Sequence, residues 1–128
     1  MPKSIYSPNV HKHKNPIPHA SLLDGLLISS AITGIELDSG QFPKGKDDQI
    51  ALAFKNMEYV LNEAKATVND IVKVDLFFQD KADRKLVNPI WISLFPNDMK
   101  RPARHSHMVN LEGNCILQIV FTAIIKSQ

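Results

Sequence analysis

One stretch of the chain carries residue types suited to holding a small anion: Arg101-Pro102-Ala103-Arg104-His105-Ser106. Pro102 fixes φ and punctuates the chain. The alternating run from Ala103 to Val109 then predicts a strand. Side chains two apart share a strand face. Arg104, Ser106 and Met108 therefore point one way, and Ala103, His105, His107 and Val109 the other. A guanidinium beside a hydroxyl can grip a carboxylate through two parallel hydrogen bonds, which sets orientation as well as affinity. The competing assignment for Arg104 is a structural ion pair, since most arginines bind no ligand. Arg101, ahead of the proline, is expected to be solvated.

Other reactive side chains are weaker candidates. His11 and His13 are spaced i, i+2 in a polar connector, with no third ligand nearby in sequence. They read as a solvated loop, and no metal site or cofactor is expected. Cys115, at the start of an apolar run, reads as a small hydrophobe rather than a nucleophile. Ser30 is either a ligand contact or a small buried hydroxyl bonded to backbone. Gln118 is the polar exception in an apolar strand. Its amide must find partners or cost ~1–3 kcal/mol, so it lines a site or a subunit contact.

The elements that position these residues follow from periodicity. Lys3 to Ser7 predicts a short strand. Asn15-Pro16-Ile17-Pro18 is extended or turn-like, because a residue before proline is pushed out of the α region. His19–Leu23 and Leu26–Thr33 predict two strands joined by a hairpin at Asp24-Gly25. In the second of these, Ile28, Ser30 and Ile32 are expected on one face. Gly34 to Lys46 is a loop. Asp47 or Asp48 is expected to cap a helix reaching about Ala66, with Ile50, Ala53, Phe54, Met57, Val60, Leu61 and Ala64 as its buried face. Ile71–Phe78 predicts a strand with Val72, Val74, Leu76 and Phe78 on an apolar face and Lys73 and Asp75 on the other. Asp80 or Asp83 caps a second helix ending near Phe95, kinked or restarted at Asn88-Pro89. Cys115–Ile125 closes the chain as a strand apolar on both faces, hence central and doubly covered. The expected order is hairpin, helix, strand, helix, hairpin. This gives an α+β architecture, a mixed sheet with two helices packed on one face. No elements remain for the other face, so oligomerisation is expected to cover it.

Composition sets the outer bounds. A chain of 128 residues with 44% hydrophobic content fits one domain with a sizeable core. The net charge of +2 and the scattered basic residues weigh against a nucleic-acid partner. One cysteine excludes an internal disulfide and fits a reducing compartment. No run approaches the ~20 apolar residues of a membrane span. A cytoplasmic protein is expected.

Taken together, the marks resemble the reactive intermediate deaminase family, the RidA/YjgF group, over essentially the whole of residues 1–128. They are Gln49, Ala53, Asn56 and Leu61, then Asp70-Ile71-Val72-Lys73, then Val87-Asn88 with Trp91 and Phe95, then Arg101-Pro102-Ala103-Arg104 and the closing apolar strand. The resemblance implies a chorismate-mutase-like fold and a homotrimer with sites between subunits. It implies hydrolysis of 2-imino or enamine acids, released by pyridoxal-phosphate enzymes, to 2-keto acids and ammonia. The family's carboxylate-binding arginine falls on Arg104. The position two further on, usually cysteine and a source of a backbone amide, is Ser106. Ser30 and Asn88 match pocket positions. Three positions depart from the family pattern. The glutamate that holds the attacking water falls on Gln118, the aromatic at the pocket mouth on Ile17, and a glycine on Ala31. A glutamine can position water but cannot accept its proton at neutral pH. Two other readings of the same cleft are a small-carboxylate-binding or regulatory protein without turnover, and the ribonuclease or translation inhibitor with which the family is often labelled. The near-neutral charge and the lack of an acid–base pair weigh against the last.

Overall fold

A computed structural model describes residues 1–126. Ser127 and Gln128, within the expected domain range, lie outside the described residues. The strands are β1 (Lys3–Ile5), β2 (Ala20–Leu23), β3 (Leu26–Ser29), β4 (Ile32–Thr33), β5 (Ile71–Phe78), β6 (Ala103–Met108) and β7 (Leu117–Ile124). Helix α1 (Lys46–Glu63) falls between β4 and β5, and α2 (Asn88–Leu94) between β5 and β6. The sheet runs β1-β2-β3-β7-β5-β6, with β4 also paired to β7. Among the described residues only β5 and β6 pair in parallel; the other pairs are antiparallel. Two helices on one face of a mixed sheet give the α+β architecture expected. The closing hairpin is corrected: β6 and β7 do not pair, because β5 lies between them. Among the described residues no helix is long and apolar enough to cross a membrane.

The seven apolar positions expected on α1 are all buried. Its cap is corrected. Gly45 holds the N-cap in an extended conformation without a side-chain bond, and Asp47 and Asp48 sit in the first turn. There they favour the positive end of the helix dipole. Two polar residues on this buried face have structural work. Asn56 donates from Nδ2 to the carbonyls of Thr33 (2.8 Å) and Ile35 (3.1 Å). Gln49 donates to the Asn114 carbonyl (3.0 Å) and accepts from the Ile116 amide (2.8 Å). Both tie loops beside β4 and β7 to the helix.

The β2–β3 turn is as expected. Asp24 and Gly25 both have positive φ, 49° and 83°, which matches the strand twist. Leu26–Thr33 is corrected to two strands broken at Ser30-Ala31. Ile28 pairs with Thr122 and Ile32 with Ile119, so four steps on one strand meet three on the other. The extra residue reverses the alternation. Ile28 is exposed while Ile32 is buried, so they do not share a face. Val72 is corrected in the same way. The register slips between Ile71 and Lys73, and Val72 is pushed outward to solvent. Asp80 caps a 3-10 turn over Lys81–Val87, accepting from the Ala82 amide at 2.9 Å. This turn runs directly into α2, with Pro89 in the first helical turn, where its missing N–H costs nothing.

The core lies between helices and sheet and includes Phe54, Met57, Leu76, Phe78, Leu117, Ile119 and Phe121. On β7 the alternation is strict: Leu117, Ile119, Phe121 and Ala123 are buried, while Gln118, Val120 and Thr122 are only partly so. The strand is central, as expected. Within one chain only one side of β7 is covered, and the sheet face opposite the helices stays open. Leu23, Leu26, Ile28 and Ile124 are exposed along it.

Candidate functional site

Arg104 leaves β6 on the helix side of the sheet. Its register partner is the buried Val74. The guanidinium donates from Nη1 to Asn88 Oδ1 at 3.0 Å and from Nη2 to the Arg84 carbonyl at 3.0 Å. Its centre lies 5.2 Å from the centroid of the Trp91 ring. A guanidinium has five N–H donors, so these bonds fix its plane and leave others for a ligand. Burial first, and the Arg84 charge second, pull Arg104 down from the usual guanidinium range. It stays charged at any working pH. No acidic side chain pairs with it among the described residues, which disfavours the ion-pair assignment.

Arg104, Asn88 and Ser106 line one open cleft of about 740 Å³. Lys81, Arg84 and Lys85 also line it, against the single acid Asp80. Sequence reading missed this cationic rim and the Trp91 platform. The rim comes from the 3-10 turn, whose offset from α2 has no periodic signature.

Gln118, Ala31 and Ile17 lie elsewhere. Gln118 pairs with Phe77 on β5 and Thr33 on β4, and so points to the open face of the sheet. With Ala31 it lines a second cleft, of about 380 Å³, beside His11, His13 and Phe42. His13 is held below the ordinary imidazole range by burial, then by His19 and His11. Ile17 is exposed on the preceding loop. Ser30 joins this loop to the strand break, donating from Oγ to the Pro18 carbonyl at 2.7 Å. Its hydroxyl is thus bonded to backbone. A single chain brings Arg104, Asn88 and Ser106 together, and Gln118 and Ala31 together, but not the two groups.

Arg101 is exposed, yet not simply solvated. It donates from Nε to the Phe95 carbonyl at 2.8 Å, just past the end of α2. Cys115 is buried, its thiol donates to the Leu117 carbonyl at 3.4 Å, and burial pushes its pKa up. It is a core residue.

A helix-covered mixed sheet with an arginine-lined cleft at its parallel edge defines a chorismate-mutase-like α+β fold. The chain belongs to the RidA/YjgF family: the family model described as Endoribonuclease L-PSP matches residues 12–124. It is 34% identical over 126 residues to a RutC family protein of Leuconostoc mesenteroides subsp. cremoris, covering 95% of this chain and 97% of that one. It is 30% identical over 95 residues to the chloroplastic Reactive Intermediate Deaminase A of Arabidopsis thaliana, covering 73% of this chain but 50% of that protein. The fold matches that of E. coli TdcF with bound serine, at a TM-score of 0.88 and 22% identity over 97% of this chain and 99% of that one.

Proposed function

We propose that the protein hydrolyses 2-imino or enamine acids to 2-keto acids and ammonia, working as a homotrimer. The observation that carries this reading is the Arg104 guanidinium, held between Asn88 and the Arg84 carbonyl with donors to spare. It is a ready carboxylate clamp on a half-buried aromatic-backed wall. The family relative named Reactive Intermediate Deaminase A supports the same chemistry. The E. coli structural relative holds serine, whose α-carboxylate is the group Arg104 would grip.

The reaction adds water across C=N and expels ammonia, leaving C=O. The imine carbon is already electrophilic, so much of the task is orientation. Arg104 fixes the carboxylate and thereby the position of C2. Gln118 orients the attacking water through its amide, without taking its proton. Because the two residues face opposite sides of the sheet, the complete site forms between copies. The exposed apolar row Leu23, Leu26, Ile28 and Ile124 supplies surface for that association.

Gln118 in place of an acid favours a second reading, a carboxylate-binding protein without turnover. An assay of ammonia release from several amino-acid-derived imines, generated in situ by an amino-acid oxidase, separates the two. Acceleration over the uncatalysed rate is expected. Tight carboxylate binding with no acceleration on any imine would favour the binding protein.

A further inference from the structure

We propose that Asp75, His105 and His107 form a binding site for one divalent transition-metal ion of the zinc, cobalt and nickel class. The site stands apart from the Arg104 cleft and does not rest on the deaminase reading. It is built by the parallel pairing of β5 and β6. Asp75 is the register partner of His105, and His107 lies two residues on, on the same face. Their donor atoms all lie within 4.8 Å of one another.

The separations are close to those a metal imposes. His107 Nε2 lies 2.9 Å from Asp75 Oδ1, and His105 Nδ1 lies 4.0 Å from the same oxygen. Tetrahedral bonds of ~2.0–2.2 Å hold donors roughly 3.3–3.5 Å apart. The two distances to Asp75 bracket that value: the His107 contact, now a hydrogen bond, opens slightly and the His105 contact closes. The His107 ring is already held, stacked on Phe77 at 4.5 Å between centroids and 13° between planes. The His105 side chain is 63% exposed and lies against the His107 ring, 4.1 Å between centroids. β6 is an edge strand, and in the single chain the exposed His105 leaves the site open to solvent.

Two imidazoles and one carboxylate are donors for zinc, cobalt or nickel; magnesium and calcium prefer an all-oxygen shell. Three protein ligands leave a position for water. Lys73 opposes the ion, with Nζ 3.4 Å from Asp75 Oδ1. It is half-exposed and can turn away, at some cost in affinity.

The test uses untagged, chelator-treated full-length protein. Titration calorimetry with zinc chloride should show one ion per chain. Cobalt(II) should develop the visible absorption of a low-symmetry, nitrogen-containing site. His105→Ala touches an exposed side chain and preserves the fold; it should weaken zinc at least about tenfold, as should His107→Ala. A His11→Ala/His13→Ala variant should bind as the parent does, and magnesium should not compete. Absence of zinc binding, or affinity unchanged in His105→Ala with its melting temperature preserved, overturns the proposal. So does binding lost only in the His11/His13 variant.

Discussion

Arg104 and Gln118, the residues the sequence assigns to one reaction, point from opposite faces of the sheet in a single chain. Arg104 pairs with the buried Val74, while Gln118 pairs with Phe77 on the open side. Neither side chain can cross the β5 backbone between them. If they serve one substrate, they come from different copies. Two variants, each crippled on one side, should then repair each other. Arg104→Ala and Gln118→Leu, unfolded together and reassembled in equal amounts, form a parental pair of residues at one interface in four. Activity should return to roughly a quarter of the parent. Recovery no better than the sum of the separate variants would remove the shared site.

Gln118→Glu should raise imine hydrolysis. The change places a proton acceptor where the glutamine can only orient water. A carboxylate set against the cationic cleft of another copy, as the proposed site requires, would stay ionised, since opposite charge favours the charged form. The measurement is turnover on the best imine, with sedimentation confirming the same assembly. An unchanged rate from an intact assembly means that Gln118 does not face the reacting water.

Gly34 governs how closely α1 approaches the sheet. A Cβ there would collide with the Gln49 carbonyl oxygen, and backbone cannot be displaced by a rotamer change. Gly34→Ala should cost about 1–3 kcal/mol and lower the melting temperature by roughly 4–12 °C. The effect should reach the second cleft, because Asn56 on the same helix holds the Thr33 and Ile35 carbonyls. A melting temperature within a degree of the parent would show that the helix moves freely at this point.

The legible parts of this fold are those where one chemical pattern covers many residues. The α1 stripe from Ile50 to Ala64 left little choice and is buried as expected, and β7 is central as expected, with its helix-facing residues Leu117, Ile119, Phe121 and Ala123 buried. The failures are single-residue slips. Nothing in the sequence marks Val72 or the Ser30-Ala31 break as the place where one strand gains a residue on its neighbour. Each slip turns the following side chains over. The candidate site divides along the same line. Arg104 with Ser106 was legible because both lie on one strand. Their grouping with Arg84, and that of Asp75 with His105 and His107, depends on register between separate elements. The sequence did place His105 and His107 on one face, but not the carboxylate opposite them.

Arg104→Ala carries the sharpest forecast. The side chain makes its two hydrogen bonds to Asn88 and the Arg84 carbonyl at the surface, not in the core. Its loss should therefore leave fold and assembly nearly intact. For the substrate the loss is large: a carboxylate without its charged partner costs about 2–5 kcal/mol. At 1.36 kcal/mol per tenfold, kcat/KM should fall roughly thirty- to several-thousand-fold. Arg101→Ala is the control, and it is not a silent one. Arg101 bonds the Phe95 carbonyl beyond α2, so its loss should cost a little stability and leave hydrolysis within a few-fold. Melting temperature, sedimentation and imine hydrolysis measured on the same preparations separate the two roles. Near-parental activity from an intact Arg104→Ala assembly would end the carboxylate-clamp reading. A fall matched by loss of assembly would return Arg104 to a structural part, joining β6 to the 3-10 turn and α2.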